Sequence, residues 1–215
     1  MKYTSESLEV EKSSIGIILI SGIVIIATIA GVCGKSCGCS AANQNVTHHS
    51  TPTPPSRNEL KGYNIAGINL LLPKMPVADI INLPKEASQI LSSFKSYKVT
   101  DCFLDITITQ AIYVNPEVNL DGSADGSIEG VRNLPSVSLF TSSKKTVDVA
   151  GLSGRSITMI YRNSKFEIDQ YSLVFASGNK YWQVQIIGKD IQNKTELEDL
   201  KNVIFKSIRL SQINK

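Results

Sequence analysis

Histidine is missing from everything after position 49. The only two, His48 and His49, stand in a stretch rich in threonine and proline. The part from residue 59 onward therefore lacks the base of Ser-His-Asp and Cys-His nucleophilic chemistry, and the commonest metal ligand. Phosphate-binding glycine motifs are missing too. Gly122, Gly126 and Gly130 recur every four residues but do not sit in the strand–turn–helix context that a dinucleotide fingerprint needs. Asp101 and Asp105 share one predicted strand, four residues apart, where carboxylates at a strand end are ordinarily solvated. Basic blocks are equally scarce. Net charge is +3, and Lys144-Lys145 is the densest basic pair, which argues against a partner whose phosphates must be neutralised in numbers. The expectations are no catalytic residues, no cofactor, no bound metal and no nucleic acid.

Charge is absent from two early segments. Ile15 to Val32 is uncharged, with Ser21 and Thr28 as its polar interruptions, and as a helix it would span about 27 Å, close to the hydrocarbon thickness of a bilayer. Residues 1–14 are read as a tail, 15–33 as a single transmembrane helix, and 34–58 as a linker. A cleaved signal peptide is the plainer alternative. It fits less well, because Glu6, Glu9 and Glu11 precede the apolar run and the run is long for a signal. Lys2 and Lys12 precede the span and only Lys35 closely follows it, which places the following domain on the non-cytoplasmic side.

Three of the four cysteines, Cys33, Cys37 and Cys39, crowd the membrane boundary. They are candidates for lipidation, by reversible acylation or, at Cys33 or Cys37, as a lipoprotein site. The latter is opposed by the branched Val32 before Cys33 and by Lys35 before Cys37. Inert thiols or an intermolecular disulfide are the other readings. A metal site with His48 and His49 fails on spacing, which matches no paired ligand pattern. The linker then runs without Lys, Arg, Asp or Glu between Ser36 and Ser56, and Thr51-Pro-Thr-Pro-Pro55 gives it an extended, semi-rigid character. Asn45-Val-Thr47 and Asn193-Lys-Thr195 fit the glycosylation pattern, which matters only in a host that uses it.

What the remainder, 59–215, does have is strand periodicity. Cys102, Leu104, Ile106 and Ile108 alternate with Phe103, Asp105, Thr107 and Thr109. Two β-rich runs, 146–149 and 156–161, flank a glycine-containing turn. Runs 171–176 and 181–187 flank Ser177-Gly-Asn-Lys180, a two-residue hairpin signal. Trp182, Val184 and Ile186 face one side, Tyr181, Gln183 and Gln185 the other. Three helices are predicted. Ala87, Ile90, Leu91 and Phe94 follow Pro84 at helical spacing. Leu120, Ala124, Ile128 and Val131 form a stripe. Asn193 caps a last helix with Glu196 three residues on, which leads into a strand at 207–210. The middle segment also reads as a calcium loop, with Asp121, Ser123 and Asp125 at ligand positions, but Arg132 stands where the bidentate Glu belongs; the helix reading is preferred. The fold class is α+β, an antiparallel sheet of about six or seven strands with helices packed on it.

Four features of this stretch resemble the PsbP-like fold: Gly67-Ile-Asn-Leu-Leu-Leu-Pro73, the Val149-Ala-Gly151 turn, Tyr181-Trp-Gln-Val184, and Ile204-Phe-Lys-Ser-Ile-Arg209. That group includes the photosystem protein PsbP, a Ran-binding nuclear transport protein and the DcrB- and LpqN-type lipoproteins. The resemblance implies an α/β/α sandwich, often exported or membrane-attached, that works by docking onto other proteins and has no shared catalytic residues. The expected function is a membrane-tethered, non-catalytic interaction module with a protein partner. A carrier or sensor of a small apolar ligand, such as a lipid, is the alternative.

Overall fold

The computed structural model describes residues 59–100, 104–189, 191 and 193–211. The expected transmembrane helix (15–33), the cysteines Cys33, Cys37 and Cys39, the linker, and Cys102 lie outside the described residues. Among those described, no helix is long and apolar enough to cross a membrane.

In chain order the elements are β1 (Lys61–Ile65), β2 (Ile68–Leu72), β3 (Val77–Ala78), α1 (Ala87–Ile90), β4 (Leu91–Thr100), β5 (Leu104–Tyr113), α2 (Leu120–Arg132), β6 (Val137–Val149), β7 (Leu152–Asn163), β8 (Phe166–Ser177), β9 (Lys180–Lys189), α3 (Lys194–Ser207) and β10 (Arg209–Leu210). Seven strands form one antiparallel sheet in the order β3-β4-β5-β9-β8-β7-β6, and β1-β2-β10 form a smaller one.

Turn chemistry sets the hairpins. Ser177 pairs with Lys180 across Gly178-Asn179, and Gly178 has φ +57°, the conformation a II′ turn asks of its first central residue. Ala66-Gly67 and Ala150-Gly151 take positive φ at both central positions, closing β1–β2 and β6–β7 as I′-type turns.

Alternation along β5, β8 and β9 then gives the large sheet two buried faces. One carries Leu104, Ile106, Ile108, Leu173, Phe175, Trp182, Val184 and Ile186, packed in one core with β2 and with Leu197, Leu200 and Ile204 of α3. The other carries Ala111, Tyr113, Val174, Tyr181 and Ile187, packed with Ala124, Ile128 and Val131 of α2. Helices thus lie on both faces, and the small sheet lies beside α3.

Both longer helices start at a capping asparagine, of which the sequence reading marks Asn193. Asn119 Oδ1 accepts from Gly122 N at 2.8 Å, and Asn193 Oδ1 accepts from Glu196 N at 3.3 Å. The helix expected from Ala87 through Phe94 is corrected. It lasts one turn, to Ile90, and Leu91 opens a ten-residue strand. A bulge explains the false pattern. Leu91 pairs with Tyr113 and Phe94 with Ala111, with the register shifting between Leu91 and Ser93, so one extra residue puts Leu91 and Phe94 on the same sheet face at a spacing of three. The strand expected at 207–210 shrinks to Arg209–Leu210, because α3 extends through Ser207.

Candidate functional site

Two places depart from an ordinary apolar-in, polar-out pattern. The first is the sheet edge at β3. Between Pro73 and Pro84 the chain runs Lys-Met-Pro-Val-Ala-Asp-Ile-Ile-Asn-Leu. Prolines at 73, 76 and 84 interrupt regular structure here, and only Val77 and Ala78 pair, with Lys98 and Tyr97 of β4. Asp79 N donates to Ser96 O at 2.8 Å, holding the segment against the sheet. Three of its large apolar side chains point out: Met75 is 75% exposed, Val77 71% and Ile80 90%. The other large exposed apolar residues, Val114 and Leu139, stand singly, after β5 and on β6. Single exposed apolar residues need no explanation, whereas three in six positions of the segment around β3 mark a candidate patch at the sheet edge. Lys74, Asp79, Lys85 and Glu86 stand near these residues in the chain, so the segment carries charges of both signs beside its apolar side chains.

The second is the interior of the α2-side sheet face. Ser96, Thr109 and Gln183 are direct cross-strand partners, as are Thr107, Gln185 and Ser172. Gln170 pairs with Ile187. All are buried. Some of their groups are matched: Tyr161 Oη donates to Gln170 Oε1 at 2.9 Å, Ser123 Oγ donates to Tyr181 Oη at 2.9 Å, and Tyr181 Oη donates to Gln183 Oε1 at 3.3 Å. Others are not. Ser96 Oγ, Thr107 Oγ1, Thr109 Oγ1, Gln170 Nε2, Gln183 Nε2 and Gln185 Oε1 have no hydrogen-bond partner, a situation that costs about 1–3 kcal/mol per group. At the rim Lys98 Nζ lies 3.7 Å from Asp105 Oδ1. Burial raises the Asp105 pKa above the ordinary carboxylate value, opposed by Lys98, and the burial of Tyr113 raises its pKa to about 12.

The other charged clusters are structural. Arg155 donates to both oxygens of Asp121, at 2.8 and 2.7 Å, and Lys144 Nζ stands 2.6 Å from Asp125 Oδ1 and 3.4 Å from Asp121 Oδ1. The Arg155 hydrogen bonds, chiefly, hold the Asp121 carboxyl far below its usual range. The two carboxylates of the calcium-loop reading thus tie the first half of α2 to β6 and β7. Asp101 lies outside the described residues, and Asp105, expected to be solvated at a strand end, is instead buried on β5. Among the described residues no three His, Cys, Asp or Glu side chains group as metal ligands would.

Asp169 offers a pH prediction. It is buried on β8 with Lys194 Nζ at 3.5 Å, and Lys194 also pairs with Glu167. Burial, the largest influence, raises its pKa, while Lys194 opposes that. A carboxyl whose pKa is higher folded than unfolded binds more protons in the folded state within that window. Its contribution to stability therefore falls as pH rises from about 4 through the folded value. Asp169→Asn removes this dependence. The variant's urea midpoint should gain on the wild type across that rise, and a constant difference at all pH values would refute it.

The edge patch was not legible beforehand. Its one signal was an apolar run between prolines with neither period two nor period 3.6. The hydroxyls and amides of the second place were visible as one face of two strands, but their burial was not.

The fold and these two places define an antiparallel α+β domain with helices on both sheet faces. No protein-family model and no curated protein matches the sequence. Among solved structures the chain is similar to the cyanobacterial PsbP (CyanoP) of Synechocystis sp. PCC 6803, at 10% identity over 71% of this chain and 92% of that one, with a TM-score of 0.49. It is also similar to LpqN of Mycobacterium tuberculosis, described as involved in cell envelope biogenesis, at 16% identity over 76% and 88%, with a TM-score of 0.37. A Pseudomonas aeruginosa protein of unknown function, PA94, matches at 8% identity over 67% and 92%, with a TM-score of 0.37. PsbP and LpqN, two of the proteins named for the fold read from the strand and turn motifs, are both among the matching structures.

Proposed function

We propose that the chain is a membrane-tethered, non-catalytic interaction module that docks onto another membrane or envelope protein through the β3 edge. The tether is the apolar run 15–33, with the domain on the non-cytoplasmic side. The observation that carries the docking reading is the exposure of Met75, Val77 and Ile80 within six residues of the edge segment that contains the terminal strand β3. Such a row gives a partner an apolar anchor at the centre and open backbone groups beside it. The apolar-ligand reading draws less support, because the buried face beneath α2 carries hydroxyls and amides where a lipid chain needs aliphatic walls.

The test is crosslinking in intact membranes with full-length protein, comparing wild type, Val77→Asp/Ile80→Asp and the control Leu139→Asp. A near-stoichiometric partner retained by the control and reduced at least about tenfold by the double variant, as expected for loss of a central anchor, supports the reading. Equal recovery in all three, or recovery of the protein alone, overturns it.

A further inference from the structure

The seven-stranded sheet has a second free edge, β6, at the far end from β3. An open edge offers N–H and C=O groups to any extended chain, and folded proteins ordinarily blunt it with proline, short length, a bulge or lysines. β6 is thirteen residues long, contains no proline, and has Val149 as its one buried residue. Its bulge, between Ser138 and Thr141, lies near one end, and residues 141–149 pair with β7 without a break. Of its two lysines, Lys144 is drawn over the sheet face towards Asp125 and Asp121 of α2. The edge is thus long, regular over 141–149 and weakly guarded.

The residues of this run fit a second copy of themselves. Two identical edge strands pair antiparallel about a two-fold axis normal to the sheet. Opposed residues point to the same face, so the axis falls between two copies of one residue. Centring on Lys144 or Lys145 sets lysine directly against lysine, which is destabilising. Centring on Ser142, Ser143 or Val147 shortens the regular ladder to about five residues or fewer and opposes no charges. Centring on Thr146 keeps all of 143–149 in register. It opposes Thr146 to Thr146, Lys145 to Val147, Lys144 to Asp148 and Ser143 to Val149. Each Lys144 then meets the other copy's exposed Asp148, and threonine pairs and opposite charges are both favourable cross-strand partners. The Lys145 stem covers the half-buried Val147. The two Lys145 become diagonal neighbours about 7–8 Å apart, with room to splay into solvent.

We propose that β6 is a homodimer interface, at which two copies of the chain join edge to edge about Thr146 into one sheet of seven strands from each. The axis normal to the sheet keeps the α3 faces of both copies on one side. Ile65 of β1 packs in the core on that face, so both chains enter the domain from the same side. Two copies tethered to one bilayer need that arrangement, and tethering raises the local concentration for a contact of modest area. The interface lies at the opposite end of the sheet from the β3 patch, and it stands or falls independently of the docking reading.

The experiment uses the full-length chain in membranes, with its four cysteines changed to serine and a single new cysteine introduced by Thr146→Cys or Ser143→Cys. In the proposed register the two copies of position 146 stand about 4.5–5.5 Å apart at Cα, within reach of a disulfide. The two copies of position 143 stand about 20 Å apart. Both positions are exposed, so neither variant should shift Tm. Mild oxidation should trap a dimer at least about tenfold faster through Thr146→Cys than through Ser143→Cys. Adding Asp148→Lys, which turns both ion pairs repulsive, should slow trapping at 146 at least about tenfold. Asp148→Asn keeps an acceptor for Gly151 N and should fall between. No dimer at 146, equal trapping at 146 and 143, or trapping at 146 that neither Asp148 variant slows overturns the proposal.

Discussion

Trp182→Ala lowers the unfolding free energy by about 3–5 kcal/mol, the range for truncating a large buried aromatic, and its first consequence is detachment of the β1–β2 hairpin. Trp182 is buried on β9 and stacks on Phe175, with ring centroids 5.4 Å apart and planes inclined by 15°. Its Nε1 donates to Ala66 O at 2.8 Å, and Gln110 Nε2 donates to the same carbonyl at 2.6 Å. Ala66 is the first central residue of the β1–β2 turn, at φ +53°. The large sheet therefore grips the small one by a carbonyl that the turn geometry presents, while Ile65, Ile68, Leu70 and Leu72 supply the apolar contact.

The two components separate by substitution. Trp182→Phe keeps an aromatic ring for Phe175 and loses the N–H, so it should cost about 1 kcal/mol from the hydrogen bond together with a modest packing loss. Trp182 is the only tryptophan, so unfolding is followed in urea by far-ultraviolet circular dichroism. Amide exchange across 61–72 should speed up in Trp182→Ala before that of β8 and β9. A loss below about 1 kcal/mol, outside the truncation range, would show that the hairpin does not depend on this contact.

The same residue shows which parts of the fold can be read in a sequence. Trp182, Val184 and Ile186 alternate with Tyr181, Gln183 and Gln185 because both faces of β9 are covered, and each face imposes its own choice at a period of two. The Gly178-Asn179 turn, the Asn193 cap and the apolar stripe of α2 are equally local signals, and the structure has them all where expected. Where the determinant is tertiary, the reading fails. β6 is a thirteen-residue strand mostly open to solvent, so Ser142-Ser-Lys-Lys145 is under no alternating constraint and leaves no pattern. The bulge in β4 counterfeits a helix because spacing alone cannot tell an inserted residue from a helical turn. Both candidate sites are of this second kind. Met75, Val77 and Ile80 stand out only once their exposure is seen, and the threonines and glutamines only once they are found buried without partners.

Leu197→Ala is expected to cost about 2–5 kcal/mol, and its effect should interact with a position on the facing strand. Leu197, Leu200 and Ile204 are the buried stripe of α3, and Leu197 has no exposed surface. The helix lies against β2 and β9, and Ser207 Oγ, near its end, accepts from Leu71 N at 2.9 Å. It therefore closes the core between the two sheets. Beneath Leu197 lies Gly188, paired with Leu104. A Cβ there would stand 2.5 Å from Leu197 Cδ2 and 2.6 Å from Ile191 Cδ1, too close for either to stay in place. The glycine thus makes room for the approach of the helix rather than serving the backbone conformation.

Gly188→Ala alone should destabilise by about 1–3 kcal/mol through overpacking. With Leu197 already truncated, the added methyl enters space that the leucine has left. The double variant should then cost less than the sum of the singles by at least about 0.5 kcal/mol, beyond the scatter of independent sites. Strict additivity in urea unfolding would mean that α3 does not rest on Gly188 through Leu197, and that another contact sets its distance from the sheet.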